Sequence, residues 1–350
     1  MAVVKANAYG HGVRLVAPLL RNDVDWFGVD SLEEAEELSS LGISEPVLIM
    51  GHTEPDDAER VVSGGFRQVL FRRDLAEALS SAAQMQAKPA GVHLKVETGL
   101  NRLGVEPGEL AGLVEGLEGL SIEGVYTHLA DVENPESTFY RSQVEKLREA
   151  LAHFEGSGFA HAFPTAGALL HHQEPLEIAR VGIGLYGIWP SPAIRAAAES
   201  RGVLSPVLSW KSRLAQVKSV AAGGTVGYDA TYRAETERHI GVVPAGYADG
   251  FDRRLSNRGR VLVRGRSAPV VGRVAMNMFM VDVTGAGARE GDEVVLIGEQ
   301  GGASITAEEL GESIGTIAYE VLARLSPRLS RRLRQPPDEG DVGGGPVESR

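Results

Sequence analysis

The sequence reads as an N-terminal eight-stranded α/β (TIM-like) barrel followed by a C-terminal, mainly β domain. Through the first 204 residues, short apolar runs alternate with amphipathic, charged stretches. That is the pattern of parallel strands covered by helices on both faces. Eight such runs occur, the number that closes a barrel, whereas a doubly wound open sheet usually has fewer strands. From about residue 205 the alternation gives way to apolar stretches separated by Gly-rich turns. This is the signature of antiparallel strands.

Strands are expected at 3–6, 24–29, 46–50, 68–71, 93–96, 124–129, 161–165 and 178–186. Ser31, ahead of Glu33 and Glu34, supplies an N-cap for the helix after the second strand. Further helices are expected at 56–62, 74–83, 108–117 and 139–154. In the second half, strands fall at 207–220, 240–245, 259–264, 269–283 and 292–298, and a helix at 307–314. Gly223-Gly224, Arg264-Gly265 and Gly301-Gly302 mark the turns. The expected organisation is a barrel domain over 1–204, a β domain over 205–334 and a tail over 335–350. The tail is rich in Gly, Pro and acidic residues and is expected to be disordered.

The 350 residues carry 47 acidic and 35 basic side chains, a net charge of -12. Such a surface disfavours general binding to nucleic acid or anionic membranes. No apolar run approaches the ~20 residues needed to span a bilayer, and the N-terminus lacks the apolar stretch of a secretory signal. There is no cysteine, which excludes disulfides, thiolate metal sites and cysteine nucleophiles. A cytoplasmic protein is the expectation.

The most informative string is Val3-Val4-Lys5-Ala6-Asn7-Ala8-Tyr9-Gly10-His11-Gly12. Lys5 lies near the C-terminal end of the first expected strand, the active-site face of a barrel. In an apolar strand, desolvation favours the neutral amine, which suits a Schiff base with a carbonyl cofactor. By itself the residue leaves open a lysine that simply reaches solvent at a strand end.

The whole string resembles the pyridoxal 5′-phosphate (PLP) attachment site of the bacterial alanine racemases. The resemblance extends through 92–102, 127–130, 178–187, 226–232, 246–250, 272–276 and 319–320, in order and without a large insertion, to about residue 334. It implies an isomerase that interconverts L- and D-alanine by two-base proton transfer on bound PLP, supplying D-alanine for peptidoglycan. It also implies a homodimer with shared active sites.

The resemblance implies a role for each matching residue. Lys5 holds PLP and exchanges a proton on one face of the substrate carbon; Tyr228 serves the other face, from the second subunit of a head-to-tail dimer. Tyr9, Thr165, Gly182, Ile183 and Tyr319 contact the phosphate, where loops after strands seven and eight commonly form such sites. Pro164-Thr165 stands where the family usually has Asn-Ser, so the hydroxyl is kept and an amide is lost. Arg180 faces the pyridine nitrogen and cannot take up that nitrogen's proton. The ring is then a weaker electron sink, which favours quick reprotonation over transamination. A hydrogen-bond chain of His128, Arg180 and His161 primes the tyrosine. Arg102 holds the substrate carboxylate, and Lys95, carbamylated in some relatives, buttresses it. Met276 closes the substrate pocket and Tyr247 stands at its entrance. Asn277 replaces the aspartate usual there, removing a negative charge.

Family members normally carry a few dozen residues ahead of the lysine motif, a helix beside the barrel and a strand for the β domain. A start codon upstream of the one read here is therefore expected. Two alternatives stay open: a racemase of broader range acting on serine or lysine, and a truncated, non-catalytic PLP-binding relative. Other signals carry less. The string 182–187 fits G-x-G-x-x-G but lies too late in the barrel and opens no helix of a βαβ unit. His171-His172 with Glu174 reads as a solvated turn rather than a metal site. The arginines at 258, 260, 264 and 266, and at 324, 328, 331 and 332, read as solvated faces.

Overall fold

The computed structural model describes residues 1–154, 158–171, 173–174 and 176–334. The segment 335–350, expected to be a disordered tail, lies outside them.

The first half folds as a parallel sheet of seven strands in sequential order. These are β1 (Ala2–Val3), β2 (Phe27–Val29), β3 (Val47–Ile49), β4 (Arg67–Leu70), β5 (Ala90–Lys95), β6 (Leu120–Tyr126) and β7 (Phe159–His161). The helices α1 (Lys5–Tyr9), α2 (Val13–Leu20), α3 (Leu32–Ser40), α4 (Ala58–Gly64), α5 (Arg73–Gln86), α6 (Leu110–Val114), α7 (Phe139–Leu151), α8 (Thr165–Leu170) and α9 (Pro192–Ala198) connect and cover it. The Ser31 cap forms as expected, its hydroxyl accepting the Glu34 N–H at 3.4 Å.

The eighth strand expected at 178–186 does not form among the described residues. Two single parallel bridges stand in its place, Ala2 with Val181 and Pro164 with Arg180, so residues 180–181 touch both edges of the sheet. The apolar run then leaves the extended conformation at Gly182 (φ -107, ψ -95) and turns into a 3-10 helix over Ile183–Tyr186. Apolar composition cannot register that turn, because the turn serves the backbone N–H groups rather than the side chains.

The second half contains an eight-stranded, wholly antiparallel sheet. Its strands are β8 (Trp210–Arg213), β9 (Gln216–Val220), β12 (Arg238–Val243), β13 (Arg260–Val263), β14 (Arg266–Val271), β15 (Phe279–Asp282), β16 (Glu293–Gln300) and β17 (Ala303–Ile305). A separate hairpin pairs β10 (Thr225–Val226) with β11 (Tyr232–Arg233). The helices α10 (Ala307–Ile314) and α11 (Ala318–Ala323) follow. The expected run 269–283 splits into β14 and β15 because a loop over 272–278 interrupts it. One hydrophobic core joins both halves, from Ala2 and Phe27 to Phe279 and Leu322. Phe251 and Phe279 stack at 4.1 Å within it, which suits aromatic packing. Among the described residues, no helix is long and apolar enough to cross a membrane.

Candidate active site

The strands end around a cavity of about 730 Å³ lined by Lys5, Tyr9, Lys95, Arg102, His128, Thr165, Arg180, Gly182, Ile183 and Tyr319. Pro164 lines it too. A separate hollow of about 460 Å³, beside Arg14, Glu37 and Arg331, contains none of these residues. Lys95 is the last residue of β5, while Lys5, His128 and Thr165 follow β1, β6 and β7. Parallel strands place their C-terminal ends on one side, so residues far apart in sequence converge there.

Lys5 is not in the strand. The strand ends at Val3, and Lys5 opens α1, with its side chain 38% exposed and its Nζ 3.0 Å from Asp30 Oδ1. Its surroundings are an acidic partner and solvent rather than the apolar interior of a strand. After Lys5 come Ala6, Asn7, Ala8 and Tyr9, all at φ between 51° and 55°. Left-handed backbone costs a non-glycine residue roughly 1–2 kcal/mol, so the turn must be held from outside. Glu34 does this: Oε1 accepts the Ala6 N–H at 2.6 Å and Oε2 accepts the Asp30 N–H at 2.8 Å. Asn7 Oδ1 accepts the Val13 N–H at 2.9 Å. The turn brings both Lys5 and Tyr9 to the cavity wall. Glu34→Ala removes the acceptor of two N–H groups and is expected to lower stability by about 1–3 kcal/mol. Denaturant titration checks this, and an unchanged midpoint contradicts it.

One side of the cavity is built of hydrogen-bond donors. Thr165 Oγ1 accepts the N–H groups of Gly182 and Gly184 at 3.2 and 3.3 Å. A Cβ on Gly182 would lie 2.4 Å from Tyr9 Oη, so a larger residue there would push the phenol aside. Burial, reinforced by the charge of Asp30, pushes the Tyr9 phenol up to about 12. Burial likewise raises Tyr319, whose hydroxyl donates to Glu133 Oε1 at 3.4 Å. The Tyr9 phenol, which stays protonated, and the Thr165 hydroxyl are donors suited to an anion such as phosphate, while the two glycine amides are held by Thr165 and the Tyr319 hydroxyl by Glu133.

The floor is cationic and dry. Arg180 is 3% exposed; the two hydrogens of its Nη2 are shared among Thr127 O, Ala162 O and His128 Nδ1 at 2.9, 2.9 and 3.1 Å. Its Nη1 donates to His161 Nδ1 at 2.9 Å. Burial lowers Arg180 to about 10, which leaves it a cation at neutral pH. Burial beside that cation lowers His128 to about 2. His161 lies beneath the cavity, fully buried and stacked on Tyr126 at 4.7 Å. Lys95 is buried with its Nζ 4.2 Å from the centre of the Tyr126 ring. Burial, then the charges of Arg180 and Arg102, hold the Lys95 amine well below the usual lysine range.

The remaining candidates form a second group on the β domain. Tyr228 occupies the turn between β10 and β11 and is 70% exposed; Met276 is 56% and Tyr247 43% exposed, and none of them lines the cavity. Asn277, also exposed, shares the 272–278 loop with Met276. Close backbone contacts join these residues. The Tyr247 N–H bonds Ala275 O at 3.1 Å and the Ala248 N–H bonds Met276 O at 2.9 Å. Arg273 Nε pairs with Asp229 Oδ2 at 2.6 Å beside Tyr228.

Asp30, Tyr126 and Glu133 also line the cavity, and Glu34 braces it, though the sequence alone does not single them out as site residues. The only signal is positional, since Asp30 directly follows β2 and Tyr126 ends β6. His171 stacks on Tyr140 at 3.9 Å and Glu174 pairs with Arg148 at 3.0 Å, while residue 172 lies outside the described set.

Comparison with known proteins adds a family to this geometry. Residues 1–190 match the family described as alanine racemase, N-terminal domain, and residues 207–333 match alanine racemase, C-terminal domain. An alanine racemase of Symbiobacterium thermophilum is 42% identical over 95% of this chain and 89% of its own length. One of Syntrophobacter fumaroxidans is 40% identical over 92% of this chain and 87% of its own. The solved alanine racemase of Clostridium difficile superposes with a TM-score of 0.88 at 32% identity, covering 94% of this chain and 87% of that one. A histidine racemase of Leuconostoc mesenteroides reaches 0.87 at 29% identity, covering 96% and 91%.

Proposed function

The chain belongs to the alanine racemase family, and from that premise we propose that it interconverts L- and D-alanine with PLP held in the cavity. The carrying observation is that Lys5, Arg180 and the cradle of Tyr9, Thr165 and Gly182 line one cavity. Their chemistry fits the cofactor: a primary amine for its carbonyl, hydroxyl donors for its phosphate, and a cation for its ring nitrogen. Ile183 and Tyr319 would complete the phosphate side, and His128, which lines the same cavity, would flank the ring. When bound, PLP withdraws electrons from the substrate and acidifies its α-hydrogen.

The protein's own residues do the rest. Arg180 stays a cation, lowered by burial only to about 10, and has no lone pair to take up a proton, so a ring nitrogen facing it would stay unprotonated. Lys5 Nζ moves the proton on one face of the substrate carbon. Tyr228, delivered by a second copy of the chain, moves it on the other, since its own hairpin holds it outward and away from this cavity. His128 accepts from Arg180 at Nδ1, so its remaining proton sits on Nε2, ready to donate to the phenol oxygen. Arg102 pairs with the substrate carboxylate. Met276 and Tyr247 close the pocket from the partner copy, and Asn277 adds a neutral amide beside them. On this reading the two bridges at 180–181 are the eighth stave of a barrel spanning 1–204, with the β domain over 205–334. The protein works as a cytoplasmic homodimer and supplies D-alanine for peptidoglycan.

Incubation with PLP and D-alanine in deuterium oxide is the direct test. L-alanine carrying α-deuterium is expected; absence of exchange at the α-carbon overturns the reading. Lys95 is further proposed to add CO₂ at its neutral amine, releasing one proton and forming a carbamate that faces Arg102. A carbamate carbon resonance in protein equilibrated with ¹³C-bicarbonate is expected, and its absence removes this modification.

A further inference from the structure

We propose that His93 is a positioning residue for this reaction, holding the ring of His161 and through it the seat of Arg180. The proposal rests on the assignment of Arg180 to the cofactor's ring nitrogen. Alternation along β5 directs His93 and Lys95 to the same face of the sheet, and both are buried there, His93 completely. His93 Nδ1 lies 2.8 Å from His161 Nε2. Position 124 on β6 leaves room for the ring, since a Cβ there would come within 2.5 Å of His93 Nδ1.

The proton order in this chain is forced. Arginine has only donors, so His161 Nδ1 must accept from Arg180. Burial and the neighbouring Arg180 cation keep both imidazoles neutral, His93 being lowered to about 3 chiefly by burial. The single proton of His161 therefore sits on Nε2 and donates to His93 Nδ1. The proton of His93 is left on Nε2, a buried atom with no partner among the described residues. The molecule thus keeps an unsatisfied donor at the far end of the chain while every nearer bond is made. Without an acceptor at position 93, the His161 Nε2–H becomes a buried donor with nothing to bond. The ring then turns to find a partner, and its Nδ1 leaves Arg180, loosening the seat of the guanidinium.

The test compares His93→Leu, which removes the acceptor, with His93→Asn, which returns an oxygen near the position of Nδ1. In ¹⁵N-histidine-labelled wild-type protein, His161 is expected as the Nε2–H tautomer; the Nδ1–H form overturns the proposal without any variant. This readout needs no racemisation, so it separates failure of the tautomer argument from failure of the functional reading. In the holoenzyme, His93→Leu is expected to lower kcat about tenfold, typical of a partner one shell out from the reacting groups, with KM for alanine nearly unchanged. The absorption band of bound PLP should shift with it. His93→Asn should restore the band and most of kcat, even where its melting temperature stays low. Equal losses in both variants that follow melting temperature, with an unchanged band, would show a packing role alone and overturn the proposal.

Discussion

Lys5→Ala is expected to reduce racemisation by about 10⁴-fold or more, because one residue is asked to perform two tasks. General acid–base transfer alone is worth roughly 10²–10⁴, and covalent attachment of the cofactor is lost with the same amine. The surrounding structure should survive the change. Lys5 is partly exposed, its ion pair with Asp30 is a surface contact, and such pairs contribute about 0–1 kcal/mol. The left-handed turn that follows is held by Glu34 and Asn7, not by the lysine side chain. A folded variant with the wild-type melting temperature, no lysine-bound PLP absorption and no turnover is therefore the outcome sought. Retained activity with a lysine-bound PLP spectrum would show that a different amine carries the chemistry.

Tyr228→Phe should cost about 10²–10⁴ in kcat, the usual worth of a positioned acid–base group, with no loss of stability. The phenol stands on an exposed hairpin and touches no core. Its separation from the cavity of its own chain makes a sharper prediction possible. In an isologous dimer each site would combine Lys5 of one copy with Tyr228 of the other. Mixing Lys5→Ala and Tyr228→Phe chains, unfolding and refolding them together, then creates heterodimers with one intact site and one doubly defective site. Random pairing restores about a quarter of wild-type activity in that arrangement. If both residues served the same chain's site, mixing would restore nothing.

The legibility of this protein divides by the range over which a residue's role is set. Ser31 caps α3 as the local string implies, and α10 occupies its expected span, because capping and amphipathic periodicity are decided within a few residues. The run 178–186 was misleading for a related reason. Its side chains are as apolar as a strand's, yet the backbone bends at Gly182 to aim amide groups at Thr165, a demand that leaves no trace in hydrophobicity. The lysine motif is legible as a family string but not as a conformation. Four successive left-handed residues contradict local preference and persist only because Glu34, 28 residues after Ala6, accepts an N–H from the turn.

By itself the sequence determined the division into an α/β half and a β half. It also singled out Lys5, Arg180 and Tyr228, through strings that resemble those of the family, as the residues proposed to carry the chemistry. Only the tertiary structure decided how those groups are tuned. It placed Asp30 against Lys5, set Lys95 and His161 against Tyr126, and ran the proton order from Arg180 through His161 to His93. It also set Tyr228 on a surface away from the cavity it is proposed to serve. The physical reason is that burial and hydrogen bonding are sums over neighbours in space, and a parallel sheet makes neighbours of strand ends that the chain keeps dozens of residues apart.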